Sequence, residues 1–396
     1  GLILLVKIGT SVSVSHSAGA NDLESIEKIG NNGFILMLGV GILYSLIGVF
    51  GGKFFVDFFQ FDNALVIEYA YQYLGTISTF VIAMFMVNLF NGIYDGLGLT
   101  IMTFVVSATG LVLNMVLDPI FIHETINVFG MTVNGFGMEV KGAATATVIS
   151  QSFVLFIYIL IYLGKNRPFH LHPLKYLDTT FMRKILKIGY PVALQSLLFT
   201  IIAIIITRMQ SEYGFQVIAT QRLGSQIEAF AWMIASGFQV ALASFVGQNF
   251  AAGRIDRVKE GYIASMKMLI PYGILINIML FVFARQLFSI FLDSPETLDL
   301  GKRYLEILSI SQLFMIIELA TAGAFNGLGK TKYPSAVGIV GNILRIPLAA
   351  IFALSMGFAG IWWAVSISSI LKGTVLVFLF TRYLRKLLLK DSATLE

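Results

Sequence analysis

The chain alternates long apolar runs with short clusters of glycine, proline and charge. The runs cover 1–18, 33–51, 66–93, 98–122, 139–163, 185–209, 215–246, 262–292, 302–325, 333–356 and 358–381. Most reach or exceed the ~20 residues that a helix needs to cross a ~30 Å hydrocarbon core, and none shows the ~10-residue alternation of a membrane β-barrel. The pattern predicts an all-α integral membrane protein with about eleven spanning helices. Connections are short except around 165–187, where Arg167-Pro168 and His172-Pro173 interrupt helical periodicity. That segment divides the chain into a lobe at 1–164, a linker at 165–184, a second lobe at 185–382 and a tail at 383–396.

Comparing the chain with itself gives further organisation. Tyr73-Leu74, Ser78, Gly92 and Gly96-Leu97-Gly98 recur as Tyr304-Leu305, Ser309, Gly323 and Gly327-Leu328-Gly329 at a constant offset of 231. Ala18-Gly19 followed by Asp22 matches Ala252-Gly253 followed by Asp256 at 234, and Asn114 and Pro119 have looser counterparts in Asn342 and Pro347. The expected architecture is two six-helix lobes in a parallel repeat related by a pseudo-twofold axis along the membrane normal. Projected backward, the repeat predicts one complete helix and part of the next before Gly1. Lys7 lies inside the opening apolar run, which therefore does not read as a signal peptide.

Composition agrees with this class: 57% of residues are hydrophobic and 12% charged, against about 25% charged in soluble domains. Cysteine is absent, which excludes disulfides and thiolate metal sites. The formal charge of +5 does not indicate nucleic acid, because 15 of 27 basic residues sit in four inter-helix regions. These hold Lys165, Arg167, Lys175, Arg183, Lys184 and Lys187; Arg254, Arg257 and Lys259; Lys330 and Lys332; and Arg382, Arg385, Lys386 and Lys390. All fall on one side of the eleven-helix topology, which makes that side, with the linker and the C-terminus, cytoplasmic. Opposite loops carry Asp57, Asp62, His123, Glu124, Asp293, Glu296 and Asp299.

Enzyme motifs fail on inspection. His123-Glu124 lacks the second histidine of a zinc helix, no Gly-x-Ser-x-Gly elbow is present, and Gly329-Lys330-Thr331 has Ala324 where a phosphate loop requires its first glycine. Polar residues inside the runs are better candidates. Asn114 and Asp118 stand four apart on one helical face, and an ionisable group at membrane depth is a functional-site hypothesis. Asn88, Asn91, Thr145 and Thr147 could add hydroxyl or amide oxygens suited to a hard cation such as Na⁺ at Asp118 and Asn114. Asp118 could instead carry a proton. In the second half Gln195, Gln226, Glu228 and Glu318 are substrate or coupling candidates. Gln195, Arg222 and Arg345 are candidate partners for these groups: Glu228 can pair with Arg222 or another cation, Glu318 is the more isolated carboxylate, and His16 is expected at the surface. The 34 Phe and 15 Met are expected mainly to pack against helices and lipid.

Val246-Gly247-Gln248-Asn249-Phe250-Ala251-Ala252-Gly253-Arg254, its weaker partner Ser15-His16-Ser17-Ala18-Gly19, Asn114 through Pro119 and Gly142-Ala143-Ala144-Thr145-Ala146-Thr147 resemble the multidrug and toxic compound extrusion (MATE) family over essentially the whole chain. The resemblance implies twelve helices in two lobes and export of organic cations or other amphipathic compounds in exchange for H⁺ or Na⁺, with no cofactor. It implies a first-lobe cation site of the DinF-like prokaryotic branch at Asn88, Asn91, Asn114, Asp118 and Thr147. The family's first helix usually adds an acidic residue there, and that helix is not in this sequence. Gly189 to Met209 lacks the glutamate of the NorM-like branch, which shifts expectation to the first lobe. The expected protein is a monomeric antiporter of a prokaryotic plasma membrane, working by alternating access, with small amphipathic or cationic substrates, no nucleic acid partner and Pro119 as a bend point. The competing reading is a lipid-linked precursor flippase or polysaccharide exporter of the same superfamily.

Overall fold

The computed structural model describes residues 1–58, 63–128, 131–164, 169–173, 175–292 and 294–395. Asp62, Lys165, Arg167, Pro168 and Asp293, used above for topology, lie outside the described residues. The helices are α1 (Leu2–Gly19), α2 (Leu23–Phe58), α3 (Ala64–Gly96), α4 (Thr100–Ile122), α5 (Glu139–Leu163), α6 (Thr179–Ser211), α7 (Phe215–Ala251), α8 (Ile255–Val282), α9 (Ala284–Ser289), α10 (Pro295–Gly327), α11 (Lys332–Met356) and α12 (Phe358–Leu395). Among the described residues, eleven are long and apolar enough to cross a membrane; α9 is the short exception.

Helix ends differ from the apolar runs because lipid selects only the immersed part of each helix. α2 begins ten residues before its run, where Lys28 and Glu24 pair at 2.6 Å one turn apart. Its start is capped by Asp22, whose Oδ1 accepts from Ser25 N at 2.9 Å; hydrogen bonds from Ser25 hold the Asp22 carboxyl below its ordinary value. Asn63 and Asp178 likewise cap α3 and α6 by accepting from Leu65 N and Thr180 N. α12 continues to Leu395, so the expected tail at 383–396 is helical through that residue.

The all-α architecture carries one short β ladder. An antiparallel ladder joins β1 (Thr125–Val128) and β2 (Met131–Asn134), in register Thr125 with Asn134 and Val128 with Met131. β-branched residues in Thr125-Ile126-Asn127-Val128 and Met131-Thr132-Val133-Asn134 favour a pleated strand, but four-residue segments carry too little periodicity to stand out.

The chain forms two compact units. One holds Leu2–Val14 and Asp22–Leu186; the other holds Gly1, Ser15–Asn21 and Lys187–Glu396. The first is built by packing of α2 on α3, α3 on α5 and α4 on α5, and the second by α7, α8 and α12 around α10 and by α11 on α12. Matching glycines set matching crossings. A Cβ on Gly92 or Gly96 would strike the carbonyls of Lys7 and Ser11, and one on Gly323 or Gly327 those of Gln239 and Ala243. The following turns also share their hydrogen bonds: Leu97 N, Gly98 N and Leu99 N donate to Ile93 O, Asp95 O and Tyr94 O, as Leu328 N, Gly329 N and Lys330 N do to Ala324 O, Asn326 O and Phe325 O. Gly98 and Gly329 take φ of 84° and 69°, a region that favours glycine. After α1 and α7 the matching left-handed residues are Asn21 and Gly253. This sets the offset there at 232 and replaces the 234 suggested by sequence identity.

The segment after α5 is held on α2 by two fully buried asparagines. Asn31 Nδ2 donates to Glu27 O and His170 O, at 2.8 and 2.7 Å, and its Oδ1 accepts from His172 N at 2.6 Å. Asn32 Nδ2 donates to Lys28 O and Tyr176 O, both at 2.8 Å, and its Oδ1 accepts from Asp178 N at 2.9 Å. Replacing either by alanine strands buried peptide groups at a cost of about 1–3 kcal/mol. We predict that Asn31→Ala or Asn32→Ala lowers the melting temperature of the purified protein clearly more than loss of the exposed cap in Asn63→Ala. Equal melting temperatures for all three would contradict this.

Candidate functional site

α4 is apolar over most of its length, and Asn114 and Asp118 share one of its faces. The Asn114 Nδ2 donates to Asp118 Oδ1 at 3.2 Å, and both residues are half-buried. α4 runs through Pro119, which has no N–H to offer, for one further turn to Ile122. Two close approaches bracket the pair against α5: a Cβ on Gly142 would meet Phe121 O, and one on Gly110 would meet Val154 Cγ2. These contacts put Asp118 at the level of the early turns of α5, within about one turn of Thr147. Thr147 Oγ1 donates to Ala143 O at 3.0 Å, which leaves its oxygen able to accept or to ligate. Thr145, two residues away and so turned to another face of α5, lines a separate groove of about 590 Å³ with Thr76, Thr79, Lys141 and Ser152.

Asn88 and Asn91 are placed elsewhere. Asn91 Oδ1 accepts from Tyr158 OH, and Tyr158 is roughly 16 Å beyond Thr147 along α5. Tyr158 stacks with Phe90 and Tyr94, at centroid distances of 5.5 and 5.7 Å. Asn88 Nδ2 donates to Met84 O of its own helix. The implied five-residue set thus divides into Asn114, Asp118 and Thr147 on one level and Asn88 with Asn91 on another.

The second unit corrects the expected pairings. Glu228 is buried and held by neutral donors, Tyr304 OH on Oε1 and Gln312 Nε2 on Oε2, each at 2.6 Å. Arg222 is exposed instead, one helical turn from exposed Gln226, and both line a groove of about 710 Å³. Glu228 is six positions after Arg222, which turns them to different faces of α7. Glu318 is not isolated: Lys372 Nζ lies 3.3 Å from its Oε2. Arg345 donates to Ser368 Oγ at 2.7 Å and Ser369 Oγ at 3.1 Å. Gln195 packs against Gly338, where a Cβ would come within 2.2 Å of its Nε2.

Other polar sites escaped the sequence reading. Asp95 and Thr103 are buried and joined by a 2.6 Å hydrogen bond, yet Asp95 sits in a glycine-rich turn motif that reads as a loop. His16, expected at the surface, is half-buried and its Nε2 lies 2.6 Å from Gly327 O. The repeated Gly-Leu-Gly turns were the available signal for both.

Comparison with known proteins follows the same lines. The family profile MatE matches residues 1–120 and 191–351. The probable multidrug resistance protein NorM of Thermotoga maritima is 23% identical over 390 residues, covering 96% of this chain and 81% of that protein. The probable multidrug resistance protein YpnP of Bacillus subtilis is 27% identical over 388 residues, covering 96% and 83%. Among solved structures, the outward-facing conformation of a multidrug resistance MATE family transporter of the MOP superfamily has a TM-score of 0.87 at 21% identity. It covers 98% of this chain and 85% of that one, a likeness of fold.

Tyr304→Phe removes a hydrogen bond to a buried carboxylate and should cost about 1.5–3 kcal/mol of stability. Exposed Arg222→Ala should stay within about 0.5 kcal/mol. Melting of the two purified variants checks this; the reverse order would restore an Arg222 partner for Glu228.

Proposed function

The chain belongs to the MatE family, and from that membership we propose that it is a secondary active exporter of small amphipathic or cationic compounds, driven by inward movement of H⁺ or Na⁺ through alternating access. The chain is a multi-pass membrane protein that is not an enzyme. In this reading it works as a monomer in a prokaryotic plasma membrane, with the basic linker and C-terminal end of α12 on the cytoplasmic side. Two relatives named as probable multidrug resistance proteins support the substrate class.

The observation that carries the coupling role is the Asn114 amide on the Asp118 carboxylate, set within an otherwise apolar helix. A carboxylate at membrane depth is costly unless it is paired, hydrated or neutralised. Asp118 therefore gains from either a proton or a hard cation, and Asn114 and Thr147 supply oxygens of the type that Na⁺ takes. Ion binding here drives export only if it favours one conformation and the exported compound favours the other, since differential affinity alone shifts an equilibrium. Pro119, one residue beyond Asp118, removes a backbone hydrogen bond and gives α4 a place to bend.

Efflux of an organic cation from proteoliposomes, driven separately by a pH gradient and a Na⁺ gradient, tests the assignment. Asp118→Asn should abolish gradient-driven efflux while retaining the wild-type melting temperature to within a few degrees. Wild-type efflux by that variant would remove Asp118 from the mechanism.

A further inference from the structure

The internal repeat provides a comparison within the molecule. Gly110 of α4 faces Val154 of α5, where an added Cβ would lie 2.2 Å from Val154 Cγ2; Gly341 of α11 faces Lys372 of α12 in the same manner, 2.3 Å from Lys372 Cγ. A second matching contact, Gly142 on Phe121 and Gly360 on Phe352, fixes the same register. At the 231 offset that these contacts set, Glu318 corresponds to Val87 and Arg345, in place of the Asn342 suggested by sequence identity, to Asn114, and across α5 and α12 Lys372 corresponds to Val154. Val87 and Val154 are 4% and 2% exposed and fill their places as ordinary apolar side chains. The second half fills the same two places with an ion pair whose side chains are 12% and 9% exposed. Taking two charges out of water is costly, and apolar residues at such positions often serve stability as well or better. Packing therefore does not account for Glu318 and Lys372.

The two partners are held unequally. Arg345 is pinned by Ser368 and Ser369, and Glu228 is saturated by Tyr304 and Gln312. Lys372 reaches Glu318 along a helix face left bare by Gly341, on a flexible stem that ends in a compact, titratable ammonium. Among the described residues it is the cation within salt-bridge range of that carboxylate.

We propose that Glu318 is a binding carboxylate for a monocationic exported compound and that the Lys372 ammonium is its tethered competitor. The compound takes the carboxylate as Lys372 gives up its proton, and reprotonation of Lys372 restores the ion pair and expels the compound. Charge balances at each exchange, with one cation entering and one proton leaving. Arg345 on α11 interacts electrostatically with both members of the pair, and also with Glu228 on α7; Arg345 keeps its charge and opposes entry of a second cation. The proposal rests on the efflux reading above but not on the role of Asp118.

Tetraphenylphosphonium binding to the full chain in lipid nanodiscs, by calorimetry in buffers of different ionisation enthalpy, tests it. All proteins carry Asp118→Asn, so that a proton from that carboxylate does not enter the count. The parent should release about one proton per cation bound, with affinity rising with pH. At a pH high enough to ionise the unpaired Glu318 carboxyl, Lys372→Met should bind at least about tenfold more tightly than the parent and release none, because the competitor is gone. Lys372→Arg keeps a charge that does not dissociate, so it should bind weakly at every pH. Glu318→Gln should not bind, and the neutral double variant Lys372→Met with Glu318→Gln should melt like the parent and also fail to bind. An unchanged proton count in Lys372→Met, or retained binding in Glu318→Gln, overturns the proposal. Absence of binding in the parent overturns it as well; if gradient-driven efflux by the wild type persists, the efflux reading stands, and if that is also absent both fall.

Discussion

Charge inside a hydrocarbon slab has to be met by something the protein itself supplies, and the polar architecture of this chain follows from that constraint. Asp118 meets the Asn114 amide, Asp95 the Thr103 hydroxyl, Glu228 a phenol and an amide, and Glu318 an ammonium. The four solutions differ in what they leave available. Glu228 has a short neutral donor on each oxygen and behaves as a strut among α7 and α10. Asp118 is half-buried and has a long contact to one amide, and Glu318 has a partner that can itself lose charge. In the proposed exchange Asp118 and Glu318 are the two that change partners, as ion and substrate exchange requires.

The frame that holds these groups is repeated. Each unit brings helices together through glycines whose Cβ would strike a neighbouring backbone, at Gly92 and Gly96 in one and Gly323 and Gly327 in the other, and closes α3 and α10 with the same three hydrogen bonds. Against that shared frame the substituted positions become informative. Where one half has Val87, Val154 and Asn114, the other has Glu318, Lys372 and Arg345. The fold tolerates apolar residues at two of the three, so the charges there are additions to a scaffold rather than conditions for it.

Much of the scaffold was legible in the sequence because lipid imposes it. Among the described residues, eleven apolar runs became eleven long helices, since a spanning segment has to satisfy its own backbone. Helix ends were less legible: Asn31 and Asn32, in a polar stretch that reads as a loop, lie inside α2 and hold the segment that follows α5. The hairpin at Thr125–Asn134 was too short to register as alternation. Within the candidate site, Asn114 and Asp118 could be paired because they share a helix, whereas Lys372 and Glu318 are separated by the whole of α11 and meet only through packing. The same reason placed Asn91 with Tyr158 rather than with Asp118. Sequence identity also misaligned the first turn by two residues, because the motif there is set by a left-handed backbone position that Asn21 and Gly253 both adopt.

Exchange is the central claim, and it is reciprocal: if an ion gradient drives export, a substrate gradient must drive the ion. The most direct measurement imposes a tetraphenylphosphonium gradient across proteoliposomes with no initial pH or Na⁺ gradient and follows lumenal pH and Na⁺. Either H⁺ or Na⁺ should move opposite to the cation, and only when the protein is present. Protein-dependent movement of tetraphenylphosphonium down its gradient, with neither H⁺ nor Na⁺ moving against it, would contradict the account.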